Sequence, residues 1–429
     1  MAGRLVEDTR GLPEHRLSIA FVGTSPPRQC GIATFTRDLA QSVKTADPRV
    51  RIGWAAINDA DSILPYGPQV RWRIQQGRPE TYRAAAEQIS ASRVDVVCLQ
   101  HEFGLYGIWG ERFEDHLAPF LEALRTPLVT TLHTILPDPS PSVRDAIRQI
   151  GRHSRAVVAM AERGRQLLVE RYDLDPARVW LIPHGVPASE AKGRRRMKTR
   201  LGLDGRTIVS TFGLLDPRKG LEYMIGAMES VRAAHPDALY LIVGKTHPDL
   251  ARRSGEAYRQ QLSALVKARG LDAYVPFVDE YLTQSQIVEF LLASDVYVTP
   301  YLDPNQITSG TLAYALGVGK AIVSTRYLHA EEVLAEGRGL LVDFRSEHQL
   351  AAAVGRILGT PALKQQLESS AYAYGRETAW PRVGERLLGL LRTAAQIDDG
   401  LWPPDGVPAT RPAPTAGLGV TDAYTGSTP

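Results

Sequence analysis

Short apolar runs rich in valine and isoleucine recur along this chain, separated by segments of helical length. In the first half they fall at residues 17–22, 52–57, 94–99, 128–132, 156–159 and 179–182, and in the second at 208–212, 239–243, 275–278, 296–299, 321–324 and 340–342. Runs this short, bounded by Gly, Pro or Asp, predict strands buried on both faces. Their alternation with helices predicts parallel sheets joined by right-handed crossovers. One series per half predicts an α/β protein of two doubly wound, Rossmann-like parallel-sheet domains facing a cleft. The expected segments are a polar N-terminal extension over 1–16, a first domain over 17–188 and a basic linker over 189–205. A second domain over 206–375 follows, then a helix over 376–397 that packs back on the first domain, and a Pro/Gly-rich tail over 398–429, read as disordered.

A length of 429 residues suits two domains, and a net charge of only +3 gives no reason to expect a nucleic-acid partner. Cys30 and Cys98 lie far apart in no metal-like pattern, which fits a reduced, cytoplasmic protein. The run at 17–22 is too short for a signal sequence or a membrane span. The densest positive patch, from Lys192 to Arg200, reads first as a solvated helix face or linker. Its functional rival is attraction to an anionic acceptor or to anionic lipid headgroups, the latter a peripheral contact at the inner membrane surface. Nothing in the pattern speaks to oligomeric state.

In doubly wound sheets ligands sit at the carboxyl ends of strands, and the polar clusters of this chain fall there. The most telling follows the run at 296–299: a polar loop ending in Thr308-Ser309-Gly310-Thr311, then a helix-length apolar segment and another buried strand. A Ser-Gly-Thr at a helix N-terminus offers free N–H groups, hydroxyls and the positive end of a dipole, an anion site most often filled by phosphate. Arg218-Lys219-Gly220 precedes another helix; helix starts favour acidic residues, so two cations there point to an anion in the cleft. After the first strand, Gly31 would open a helix and let a ligand approach the backbone. There is no GxGxxG, so a nicotinamide site is not expected. His101-Glu102 and His133-Thr134 follow buried strands, where an imidazole can bond a sugar hydroxyl, move a proton, or be a satisfied structural group. Pro183-His184-Gly185 reads as a turn without ligand contact. The sequence holds no HExxH, CxxC pair, GxSxG or P-loop, and the DxD shape of Asp59-Ala60-Asp61 carries little weight as a metal site.

Together these residues resemble the retaining family-4 glycosyltransferases of the two-domain GT-B fold, over roughly residues 17–392. In the second half the resemblance rests on Gly213 to Lys219-Gly220 with its helix, Leu241-Ile-Val-Gly244, Asp295-Val-Tyr-Val-Thr-Pro300, Ala315-Leu-Gly-Val-Gly-Lys-Ala-Ile-Val-Ser324 and the segment from Glu332 to Val342. In the first half it rests on Pro26-Pro27 with Gly31, Thr131-Leu-His133 and Ile182-Pro-His-Gly-Val186. It implies transfer of a hexose from an activated, usually nucleotide-linked, donor with retention of configuration. The donor would lie mainly on the second domain and the acceptor on the first. Lys219 and Arg218 would clamp the leaving phosphates, Gly31 would approach them from the other domain, and Thr308, Ser309, Gly310 and Thr311 would cradle them. His133 and Gln306 would position the donor sugar, and Glu332 would contact the donor side. No metal and no cofactor are expected, because cations and helix dipoles neutralise the leaving group and its oxygen takes the acceptor proton. The acceptor, a carbohydrate or another small molecule, is expected near 58–69 and 103–111, against His101, Glu102, Tyr106 and Trp109. For the aromatic residues, packing on the core is the alternative.

The chain departs from the family at four positions. Gln306 and Tyr314 stand where two glutamates eight positions apart are usual, Leu214 stands where an arginine is common, and Cys30 precedes Gly31 in place of a double glycine. Gln306 can still bond sugar hydroxyls but loses the charge-assisted share, on the order of 1 kcal/mol per bond. Tyr314 offers a ribose one hydroxyl contact, or none if it belongs to the core. A phosphorylase using a sugar 1-phosphate therefore stays open. So do a non-catalytic sugar- or nucleotide-binding protein of the same fold, and an unrelated nucleotide-sugar epimerase with His101 and Glu102 as its proton-transfer groups.

Overall fold

The computed structural model describes residues 16–59, 64–110, 112–190 and 193–396. The extension over 1–15, Asp61, Lys192 and the tail expected from 398 lie outside the described residues.

The first domain carries β1 (Ser18–Gly23), β2 (Arg51–Asn58), β3 (Val70–Gln75), β4 (Val96–His101), the hairpin strands β5 (Gly107–Ile108) and β6 (Glu114–Asp115), then β7 (Leu128–Leu132), β8 (Ala156–Ala159) and β9 (Val179–Leu181). Seven of them form one parallel sheet in the order β3-β2-β1-β4-β7-β8-β9. The second domain carries β10 (Thr207–Phe212), β11 (Ala238–Val243), β12 (Phe277–Val278), β13 (Val296–Thr299), β14 (Ala321–Thr325) and β15 (Leu340–Val342), parallel in the order β12-β11-β10-β13-β14-β15. Each order reverses beside the first strand of its domain, the place where a doubly wound sheet opens a crevice.

Every one of the apolar runs contains a strand or overlaps one. β3 is an addition to that pattern. In Val70-Arg-Trp-Arg-Ile-Gln75 the residues alternate: Trp72 and Ile74 enter the core while Arg71 and Arg73 face solvent. That is an edge strand wet on one side, so it never forms an apolar run.

Helices cover both faces of both sheets. One face of the first sheet packs on Gly31–Ala46 and on the C-terminal helix Trp380–Gln396, joining Phe21, Leu39 and Val43 to Val383, Leu387 and Leu391. The two helices touch closely: a Cβ at Gly384 would lie 2.5 Å from the backbone of Ser42. The chain thus crosses between domains twice, and the crossings are bonded to each other. The Val186 N–H donates to Thr378 O (3.0 Å) and the Trp380 N–H to Val186 O (2.9 Å).

The basic segment is a joint. Helix Arg194–Arg200 lays Lys198 on the buried Asp295 at 2.6 Å, where Lys364 meets the other carboxylate oxygen at 2.7 Å. Arg194 pairs with Glu368 and Arg200 with Glu289. Burial would raise the Asp295 pKa. The charge of Lys364, with hydrogen bonds from Lys198, Lys364 and the Ile208 N–H, outweighs that and holds it at about 2. Only Arg195 and Arg196 of this helix are left exposed without such a partner among the described residues, so the solvated-patch expectation is corrected. No helix of the described residues is long and apolar enough to cross a membrane.

Candidate functional site

The second domain's wall begins where β10 ends. Gly213 adopts φ +133°, and a Cβ there would lie 3.3 Å from the Thr311 methyl. The Asp216 side chain accepts from the Arg218 N–H (2.9 Å) and starts a 3-10 turn over Pro217–Lys219. Gly220 closes the turn at φ +60°, where a Cβ would sit 2.2 Å from Pro300 O. That close approach and the left-handed backbone both require glycine. The turn sets the Lys219 ammonium 3.8 Å from the centre of the Tyr301 ring. Among the described residues it has no carboxylate or carbonyl partner. Burial lowers its pKa to about 8, with Asp216 opposing and Arg218 adding to the shift.

The Tyr301 hydroxyl meets the Thr311 hydroxyl at 2.6 Å, which ties Lys219's aromatic platform to helix Gly310–Gly317. Ser309 caps this helix, accepting from the Leu312 N–H at 3.3 Å, and its own N–H donates to His329 Nδ1 at 3.0 Å. Ser309 is therefore spent on the cap. Of the expected quartet, the first-turn N–H groups of Gly310 and Thr311 remain for an anion. Thr308 and Gln306 are half-buried beside them, with Gln306 Nε2 donating to Thr308 O (3.0 Å).

From the first domain, Gly31 opens helix Gly31–Ala46 behind the extended residue Cys30, and a Cβ on Gly31 would meet nothing within 4 Å. His133, just past β7, donates from Nε2 to Gln100 Oε1 (3.1 Å) and meets the Phe35 ring edge-on at 4.8 Å. His184 also packs on Phe35, at 4.9 Å between ring centres. Burial holds both imidazoles neutral, His133 at about 3 with His184 and His101 adding to the shift, and His184 at about 4. Glu102 accepts from Thr134 Oγ1 (2.8 Å) and the Phe103 N–H (3.0 Å). Burial raises its pKa, while those bonds and the charge of Arg218 across the cleft oppose the rise.

Two family models cover these walls: Glycosyltransferase Family 4 matches residues 30–190 and Glycosyl transferases group 1 matches 194–374. The chain belongs to the group 1, family-4 type of glycosyltransferase. The D-inositol 3-phosphate glycosyltransferase of Acidothermus cellulolyticus is 29% identical over 290 residues, a match spanning 62% of this chain and 62% of that relative. The GDP-mannose-dependent monoacylated alpha-(1-6)-phosphatidylinositol monomannoside mannosyltransferase of Corynebacterium glutamicum is 25% identical over 88% of this chain and 98% of its own length. Anabaena Alr3699/HepE, crystallised with UDP and glucose, superposes with a TM-score of 0.69 at 16% identity, over 88% of this chain and 100% of that one. The two facing parallel-sheet domains are the GT-B architecture.

Several expected members of this family-4 site stand elsewhere. Arg218 is forked onto Asp216 through two 2.9 Å bonds and its side chain is 73% exposed, so it is not a free clamp beside Lys219. Glu332 does not face the donor side. Its two oxygens accept from the Glu162 N–H (2.7 Å) and the Arg163 N–H (2.9 Å), so a carboxylate of the second domain caps helix Glu162–Tyr172 of the first. Tyr314, at the second departed glutamate position, is buried. Its hydroxyl donates to Asp38 Oδ2 at 3.3 Å and accepts from Gln284 Nε2 at 3.1 Å, a contact between domains. His101 and Tyr106 are core residues, stacked at 5.4 Å, with the Tyr106 hydroxyl donating to Gln100 O (2.9 Å). Neither faces an acceptor. Trp109 alone of that group is open, 40% exposed and stacked on Phe103 at 4.6 Å. Asp59 of the DxD shape is ion-paired to Arg28. The residues missed were Tyr301, His329 and His184, each of which gains its place only when distant segments meet.

Proposed function

We propose that the cleft transfers a hexose from a nucleotide-linked donor to a small-molecule acceptor, with retention of configuration and without a metal. The reading rests on the Lys219 ammonium. A half-buried cation that bonds no carboxylate is poorly compensated, and this one lies over the Tyr301 ring, which is bonded through Thr311 to the helix whose first N–H groups are free, so that a diphosphate would complete it. Gly31 leaves open backbone on the opposite wall for the same group. The GDP-mannose in the name of the Corynebacterium relative and the UDP and glucose of the HepE crystal support a nucleotide-linked hexose, and the inositol phosphate in the name of the Acidothermus relative supports a small-molecule acceptor. In this reading Lys219 and the Gly310–Thr311 N–H groups stabilise the charge that develops on the leaving oxygen. That oxygen removes the acceptor proton on the face it departs from, while His133 and Gln306 hold the sugar.

The test is a panel of UDP-, GDP- and ADP-hexoses assayed in EDTA for nucleoside diphosphate release, with the anomer of the product read by NMR. Release from one donor with the α configuration kept is expected. No turnover from any donor would refute it. One observation favours a second reading: Tyr314 is tied to Asp38 and Gln284 and so offers no free hydroxyl to a ribose. Phosphate release from a sugar 1-phosphate in the same assay would establish that alternative.

A further inference from the structure

His184 belongs to the turn that follows β9 and leads into the first crossing between domains. Its Nδ1 lies 2.8 Å from Gly185 O, and a carbonyl can only accept, so Nδ1 carries the hydrogen. The ring is neutral, and Nε2 therefore presents a bare lone pair. That lone pair is directed at the second domain: a Cβ on Gly310 would lie 3.0 Å from Nε2. Gly310 carries no positive φ, so its missing side chain answers to space, and the space is taken by this imidazole.

The surroundings explain why the ring stays put and uncharged. Phe35, Trp380 and Tyr314 pack around it, at 4.9, 6.0 and 6.3 Å between ring centres. His133 and His329, the other titratable rings that face it, are themselves held neutral by burial. No described carboxylate bonds to it. His133 is fixed in the complementary tautomer, with Nε2 donating to Gln100 and Nδ1 left as an acceptor. Two neutral imidazole acceptors thus pack on one phenylalanine, and that of His184 reaches Gly310, where the helix with the free first-turn N–H groups begins. A bare lone pair repels a phosphate oxygen and welcomes a hydroxyl hydrogen.

We propose that His184 Nε2 accepts a hydrogen bond from a hydroxyl of the transferred sugar and so helps choose which hexose the cleft takes. This rests on the sugar-transfer reading above. The residue was read from sequence as a ligand-free turn, and only the meeting of the two domains gives it a partner.

The probes are UDP-glucose and GDP-mannose with deoxyfluoro counterparts at each sugar hydroxyl, since fluorine keeps the size but cannot donate. Wild-type protein should lose about tenfold in kcat/KM at one position, the worth of one hydrogen bond. In H184F the parent donor should fall by about the same factor and the penalty at that position should vanish. Penalties at the other positions and the affinity for UDP or GDP should stay as in wild type. H184Q, whose amide oxygen accepts, should keep part of the penalty. A wild-type protein indifferent to every fluorine overturns the assignment without any variant. So does an H184F profile that matches wild type, or one in which all penalties collapse together. A wild-type protein that binds no nucleoside diphosphate overturns the cleft reading itself, and this assignment with it.

Discussion

Lys219 provides a titration whose size follows from its position. Burial places its folded-state pKa at about 8, against the 10.5 of an exposed lysine. Without ligand, the unfolded chain binds more protons than the folded one between those values, so stability rises with pH across that window. Anion binding runs the other way, because only the charged ammonium attracts the diphosphate. With a pKa of about 8, some three-quarters of the lysine is charged at pH 7.5 and about 3% at pH 9.5, so affinity should fall up to about 25-fold over that rise. The other protein groups whose pKa is shifted titrate outside the window or away from the cleft, and the ring N–H of uracil or guanine, which titrates near its top, is common to wild type and K219M. His133, His184 and His329 are neutral throughout, Tyr301 is raised to about 12, and Lys320, at about 7, donates to Ser294 O just ahead of β13, beyond the strand from the cleft. The terminal phosphate of UDP loses its last proton near pH 6. Calorimetry of UDP or GDP binding at constant ionic strength, from pH 7.5 to 9.5, reads the effect directly. K219M should bind weakly and with no such slope. A flat wild-type profile, or the same slope in K219M, would show that Lys219 is not the group that holds the anion.

Three further substitutions test the contacts that set the cleft. E332A removes two charge-assisted bonds to helix N–H groups of the other domain, at 2.7 and 2.9 Å, and should lower unfolding stability in urea by about 1–3 kcal/mol; an unchanged midpoint would rule out the cap. D295N leaves Lys198 and Lys364 without their carboxylate and should cost about 3 kcal/mol or more by thermal unfolding. Because the Asp295 pKa is lowered from 3.8 to about 2, its contribution is complete above 3.8 and disappears as pH drops toward 2, and the variant should lose that part of the acid response. G185A would put a Cβ 2.0 Å from the Trp380 ring, forcing the crossings apart at a cost of about 1–3 kcal/mol, visible as a lower Tm.

What the sequence made legible was whatever a local pattern encodes. Strands buried on both faces announce themselves as apolar runs, and the Ser309 cap, the Gly220 turn and the Lys219 position follow from neighbours along the chain. β3 escaped because its arginines interrupt the run, although the alternation in Val70 to Gln75 carried the signal. Glu332 was misplaced because its partners are the N–H groups of Glu162 and Arg163, some 170 positions away and on the other domain. Tyr314 and Asp38 meet across 276 positions. The basic segment from Lys192 looked solvated because nothing local shows that Asp295 and Glu368 wait for its cations. His184 fell to the same limit: its turn is ordinary, and Gly310 reaches it only from the second domain.

The return of Trp380–Gln396 onto Gly31–Ala46 makes the second domain an insertion within the first. On the ribosome the earlier half emerges with Leu39, Val43 and Phe21 lacking their cover, and must wait for the whole nested domain to be synthesised before its last helix arrives. The domain begun first is therefore the one finished last, and a chain cut short before Trp380 leaves that apolar groove open to the chaperones.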